Sequence, residues 1–510
     1  MGEDRRRETD DGGRRTEDWG RETDEGRRSA VTGHPSPVFR LPSPVIFMPR
    51  FIDKTIAAGL LVAVVFTTLA LGTVEAWSLA IFELIVLALV VLWALKAIAE
   101  RRLRIVLPTA GWALAGLLVL GFAQSFAFAD ASGRVHSLSM DVEATRGALT
   151  VIFFLFVCFV VASNFFAARD RLRMLANFLI IFGLVLAVFA LVQHFTWEGK
   201  LFWIRPTPAA GAGTGGPFVN RNHFAGFMEM LIPIPVALAL SGGVRGETRV
   251  FYGFAAAVMG VAHLASLSRG GLVSLAGGLL FLGIANALRG RRSHSKNAPG
   301  FVFRPAYFII LTVAAIAIGV IWVGADFDIL RRMSNDPLTT SGVMDRQSVW
   351  GDTLAMFRSH PLFGIGLGAF ETVYPIYGRG NGTFLIQFAH NDYLQILADA
   401  GIVGGALALW FVASIGRALS IALKSSDRLM SGLALGAGAG MFALLIHSVF
   451  DFNLQIPSNA LLFLVLGAAL SSVAALQSAP SGLLSEASKR RRGRSADRYR
   501  EQEVVTGVEL

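Results

Sequence analysis

Twelve stretches of about twenty apolar residues, each closed by a charged or Gly/Pro-rich break, follow one another between residues 54 and 477. Twenty residues of helix rise about 30 Å, the thickness of a bilayer's hydrocarbon core, so such a chain folds inside lipid. There every backbone N–H and C=O must find a partner within the protein, which leaves helices as the spanning element for runs of this length. The runs lie near 54–73, 77–97, 106–127, 147–167, 173–195, 223–242, 250–268, 270–288, 305–324, 398–418, 430–449 and 458–477. The expected fold is all-α: a polytopic integral membrane protein of about twelve transmembrane helices. Composition supports this where it discriminates. Charged residues make up 16%, against about a quarter in ordinary globular domains. Phe, at 39, far outnumbers Tyr, at 6, as suits rings facing lipid with no partner for a hydroxyl.

Loop charge predicts direction. KAIAERRLR (96–104), RDRLR (169–173), VRGETR (244–249), RGRRSHSK (289–296), the stretch from Arg417 to Arg428 and KRRRGR (489–494) fall on alternate connections. The turns at 74–76 and 450–457 carry no Lys or Arg. A positive-inside arrangement then puts both termini in the cytoplasm. The net charge of +10 is read the same way, with anionic membrane lipids as partner and no nucleic acid. The expected organisation is a charged, disordered tail (1–50), spans 1–9 (51–324), one large periplasmic loop between spans 9 and 10 (325–397), spans 10–12 (398–477) and a basic cytoplasmic tail (478–510). No secretory signal opens the chain. Cys158 is the single cysteine, which excludes an internal disulfide or a Cys-based metal site.

Polar residues at span ends are informative, because lipid makes them costly unless they pair or line a wet cavity. Five clusters fall on the predicted outer side. Asn220, Arg221, Asn222 and His223 precede a span, where they suit either a helix cap or the binding of hydroxyls and phosphate at a positive helix end. Ser268 and Arg269 stand before Gly270 and Gly271, which leave room beside a guanidinium whose planar fork suits a pyrophosphate. Arg346 and Trp350 lie four apart in DRQSVW, one face of a short helix. They precede FRSHPLFGIGLGAF, whose glycines lack the strand–turn–helix setting of a nucleotide site and read as tight turns. His390, Asn391 and Tyr393 open a further span, with Asn391 a cap and His390 an imidazole able to act as a general base near neutral pH. His447 and Asp451 are four apart and suited to pair, as a structural clasp or as a substrate contact.

With AHNDYLQ continuing into ILADAGIVGG, and with VNRNHFAGF, SLSRGGLVSL, DRQSVW, HPLFGIGLGAF and HSVFDFNLQIPSNA in this order, the chain from about 50 to 477 resembles the O-antigen ligase and polymerase family. The resemblance implies a GT-C-like membrane glycosyltransferase of lipopolysaccharide or polysaccharide biosynthesis in the cell envelope. Its donor would be a glycan on undecaprenyl pyrophosphate, and its acceptor a hydroxyl of lipid A-core, another glycan or a protein. It implies an inverting transfer, no metal and no other cofactor, with Arg269 and Arg346 holding the pyrophosphate and His390 matching the family's His. The alternative from another class is a membrane solute or ion transporter of the same superfamily. Polar groups gathered on one face, with no broken helices in matching halves, speak for the enzyme.

Overall fold

A computed structural model describes residues 44–129, 131–133, 135–206, 215–292, 337–378 and 385–478. The described chain is helical apart from two short hairpins. Its elements are α1 (Pro44–Leu69), α2 (Ala76–Glu100), α3 (Thr109–Gln124), the β1–β2 hairpin (Ala127–Ala129 with Val135–Ser137), α4 (Val142–Phe165) and α5 (Arg169–Phe195). The hairpin β3–β4 (Lys200–Leu201 with Arg205–Pro206) is followed by α6 (Arg221–Leu231), α7 (Pro233–Leu240), α8 (Glu247–Ala265) and α9 (Arg269–Arg292). Then come α10 (Pro337–Ser359), α11 (Phe370–Tyr377), α12 (Asp392–Ala422), α13 (Arg428–His447) and α14 (Pro457–Ser478).

Ten helices among the described residues are long and apolar enough to cross a membrane, with α6 and α7 counted as one span; α3 is shorter. Eleven of the twelve expected spans thus fall on helices. The twelfth, 305–324, lies outside the described residues, as do most of the two tails. Pro233 breaks the span of α6 and α7 by removing a backbone donor. Several boundaries move: α1 ends at Leu69, where a turn with left-handed Leu71 and Thr73 takes over, α4 begins at Val142, ahead of the expected 147, and α12 begins at Asp392, ahead of the expected 398.

The bundle is organised around α13, α14 and the α6–α7 span, the most buried of the helices, while α2 and α8 face outward. Close approach explains why α13 reads GLALGAGAG. A side chain at Gly436 would meet the Ile234 backbone at 2.6 Å, and one at Gly440 would overlap Met230. In lipid, where water drives no association, small residues let helix backbones meet in this way.

Cross-helix bonds define two ends. At one, Lys96 pairs with Asp53 (3.0 Å), Arg169 with Asp427, and Arg289 donates to Ser431 (2.7 Å). At the other, Ser458 N donates to Gly72 O (3.2 Å), Arg205 pairs with Glu75, and Met140 N donates to Ile365 O (2.7 Å). All five clusters picked out in the sequence gather at this second end.

The segment between α10 and α12 folds onto that end. Val349, Met356, Ile365, Phe370 and Val373 form a small core with Ala389 and Ala398, and Tyr374 and Tyr377 pack against it. The GIGLG run is its hinge. Gly401 is non-helical (φ 64°, ψ −161°) and interrupts α12. The backbone groups this frees are taken up by the run: Ile365 N and Gly366 N donate to Ala398 O and Asp399 O (2.9 and 3.0 Å), and Ile402 N and Val403 N to Pro361 O and Leu362 O (2.8 and 3.2 Å). Gly364 (φ +72°) lies so close to the Asp399–Ala400 peptide that a Cβ would overlap it. Gly364→Ala should therefore lower stability by about 3 kcal/mol, from left-handed strain plus overpacking. Thermal unfolding in detergent measures this, and an unchanged transition would contradict the tight docking.

Candidate functional site

The site is built where α6, α9, α12 and the α13–α14 connection meet. Asn391 caps α12 through its side-chain oxygen, which accepts from Tyr393 N and Leu394 N (2.9 and 3.0 Å). The residue before the cap, His390, has φ +50°. A left-handed conformation costs a residue with a Cβ about 1–2 kcal/mol, so the surroundings must hold it there. In it the imidazole Nδ1 lies 3.3 Å from Asp451 Oδ1. The His390 side chain keeps 36% of its surface exposed, whereas that of Asp451 keeps 1%.

Asp451 lies in the turn beyond the end of α13. Oδ1 also accepts from Phe452 N (2.9 Å), and Oδ2 from the Asn222 amide (2.6 Å). Burial alone would raise this carboxyl. The His390 bond and the nearby His223 and His447 rings more than offset that, holding it well below the usual carboxylate range. Both of its oxygens accept hydrogen bonds, as a carboxylate's do. An anionic carboxylate only accepts, so Nδ1 of His390 carries the proton and Nε2 presents its lone pair. A lowered folded pKa means stabilisation that is complete above the unfolded value, about 4, and lost as pH falls through the folded one. The thermal stability advantage over Asp451→Asn should then persist at about pH 5 and shrink only below about pH 4. An advantage already gone at pH 5 would contradict the assignment.

Rings close the site around Phe452. His390 and His223 each meet it edge-on at 4.8 Å, and Phe388 stacks on it at 4.5 Å. His223 is buried on α6, where Asn220 caps the helix by accepting from Asn222 N (2.9 Å). Trp350, on α10, donates its indole N–H to Ala389 O (3.0 Å), just before His390. Tyr393 donates to Leu445 O (2.7 Å).

Two guanidiniums stand at the mouth. Arg221 begins α6 and Arg269 begins α9; both are exposed, and neither has a hydrogen bond or ion pair among the described residues. The two helix starts pack together, a Cβ at Gly271 meeting Ala225 of α6 at 2.8 Å, which brings the two cations to one place. Ser268 caps α9, its hydroxyl accepting from Gly271 N (3.2 Å), after a turn through left-handed Leu267. Unpaired cations held together at two helix N-termini form a place for an anion. Arg346 falls on α10, one turn before Trp350, and its side chain lies outside the described residues.

One expectation is corrected. The His447 side chain does not bond that of Asp451: α13 ends at His447, and each side chain takes another partner. His447 Nδ1 instead meets Glu229 Oε1 at 3.1 Å, both fully buried. The other face of its ring packs on the start of α9, where a Cβ at Gly270 would come within 3.0 Å of Nε2. The sequence reading missed Glu229 and the bonds that Asp392 makes across the bundle. A lone acid in FAGFMEMLIP was the available signal for the first, since an unpaired carboxylate in lipid is untenable. Asp392 Oδ2 accepts from Ser448 and from Leu454 N (2.8 and 3.1 Å), tying α12 to the turn that carries Asp451. Among the described residues no group of three or more His, Cys, Asp or Glu is placed to hold a metal ion.

This constellation of His and Arg at one end of a helical membrane bundle lies across a stretch that matches a known family. Residues 254–409 match the model of the O-antigen ligase family. The match takes in Arg269, Arg346, Trp350, His390, Asn391 and Tyr393, and supports an activity of the O-antigen ligase or polymerase type in a multi-pass membrane protein. The α6 cluster and the His447–Asp451 turn lie outside it and join the site through the fold. The chain matches no curated protein.

Proposed function

We propose that this ligase-type chain transfers a glycan from undecaprenyl pyrophosphate to an acceptor hydroxyl at the periplasmic face of a bacterial inner membrane, with inversion and without a metal. The contact that carries the reading is His390 Nδ1 on the buried Asp451 carboxylate, which leaves Nε2 as a base at the edge of the cluster. As the acceptor oxygen attacks the anomeric carbon, its proton passes to Nε2, and Asp451 stabilises the imidazolium that forms. The bond from that carbon to the pyrophosphate oxygen breaks on the opposite face, which inverts the centre. The electron pair leaves on the diphosphate, whose growing charge Arg221, Arg269 and Arg346 compensate. The acceptor would be a lipid A-core, glycan or protein hydroxyl. The end rich in Arg169, Arg171, Arg173, Arg249 and Arg289 faces the cytoplasm in this reading, by the positive-inside rule.

The test is release of undecaprenyl pyrophosphate by purified protein in lipid, given a lipid-linked glycan and candidate acceptors. Release that depends on an acceptor and yields the inverted linkage supports the proposal. A folded protein that binds donor and releases none with any acceptor would overturn it.

A further inference from the structure

His390 occupies a backbone conformation it would not choose, and the residue in front of it is held at both its N–H and its C=O. Ala389 O accepts from the Trp350 indole (3.0 Å), while Ala389 N donates to Gln395 Oε1 (2.7 Å). Gln395 lies one turn into α12, beyond the reach of an ordinary cap, and only 1% of its surface is exposed. Its Nε2 donates in turn to Asp399 Oδ2 (3.0 Å), one further turn along the same face. The orientation of this amide is therefore dictated: the carboxylate takes the NH2 group, and the carbonyl oxygen is left pointing at Ala389 N. Asp399 is itself pinned where Gly401 interrupts α12, and its backbone carbonyl accepts from Gly366 N and from Gln124 on α3 (both 3.0 Å). A chain of bonds thus runs from the helix break to the peptide that sets the imidazole.

We propose that Gln395, oriented by Asp399, is a positioning residue for His390: it locks the Ala389 peptide so that the imidazole keeps its left-handed seat on Asp451. This rests on His390 acting as the base. Gln395 touches no reacting atom, so its loss should appear in turnover while donor binding is unchanged. A base displaced by about 1 Å loses about 10²-fold in rate.

The polarity of the chain supplies the test, measured as kcat and donor KM for acceptor-dependent release of undecaprenyl pyrophosphate by full-length protein in lipid. Gln395→Leu removes both bonds, and kcat should fall by about 10–10²-fold with donor KM unchanged. Gln395→Glu sets two carboxylates against each other and should be similarly impaired. In Gln395→Glu/Asp399→Asn the bond re-forms in the opposite sense, with the amide of the new Asn donating to the new Glu, whose second oxygen still faces Ala389 N; kcat should recover. Trp350→Phe, which frees the other side of Ala389 at a partly exposed position, should also lower kcat alone and remains informative if the buried variants misfold. Wild-type kcat in folded Gln395→Leu, a loss confined to KM, or a double variant no better than Gln395→Glu would overturn the inference. His390→Ala separates the two levels. If it is inactive while Gln395→Leu turns over normally, only the positioning role fails; if it is fully active, the base assignment itself has failed.

Discussion

Replacing His390 by Ala is expected to reduce acceptor-dependent glycan transfer by about 10²–10⁴-fold, the usual contribution of a positioned general base. Donor binding should survive, because the imidazole faces the acceptor and the guanidiniums stand on other helices. The partners of His390 give the prediction its shape. Asp451→Asn keeps the volume but can offer an N–H to Nδ1, which lets the ring adopt the tautomer whose Nε2 carries a proton and cannot accept one. That variant should lose turnover while Asn222 keeps a partner in the new amide oxygen. Asn222→Ala frees only Oδ2 of Asp451 and should do less. Kinetics of undecaprenyl pyrophosphate release with purified, folded variants measure all three. Full transfer by His390→Ala would sink the base assignment, however neat the geometry.

The helices were legible in the sequence because lipid imposes one rule everywhere: a run of about twenty apolar residues has nowhere else to go. Caps were legible for a similar reason. Asn220 and Asn391 stand before apolar periodic runs, and both prove to cap them. What could not be read was pairing across long separations. His447 and Asp451 share helical spacing, yet the helix ends between them, and each finds its partner far away, in Glu229 and in His390. The GIGLG run is the sharpest instance. Its glycines signalled turns, but their purpose is to fill the break at Gly401, and neither segment announces the other. Gln395 was invisible for the same reason. A glutamine in the first turns of a helix is commonplace, and only the fold shows which peptide it holds.

The diphosphate end of the proposed reaction gives the second large effect. Arg269→Ala should lower kcat/KM for the lipid-linked donor by about 10²–10³-fold, the scale seen when one preorganised donor to a developing anion is removed. Arg269→Lys should recover only part of this, because an ammonium cannot offer the two parallel N–H bonds of a guanidinium. Arg221→Ala should act in the same direction. The proximity that makes the two cations repel each other in the absence of an anion makes their contributions interdependent. Relief of that repulsion softens each single loss but counts only once in the double variant, which should therefore lose more than the sum of the single effects. A caged donor analogue bearing a single phosphate should discriminate less between wild type and either variant, since the second guanidinium then has little to hold. Strict additivity would mean that Arg221 and Arg269 act at separate places. Wild-type turnover in folded Arg269→Ala would move the leaving group away from the start of α9 altogether, and with it the reason for two cations at that mouth.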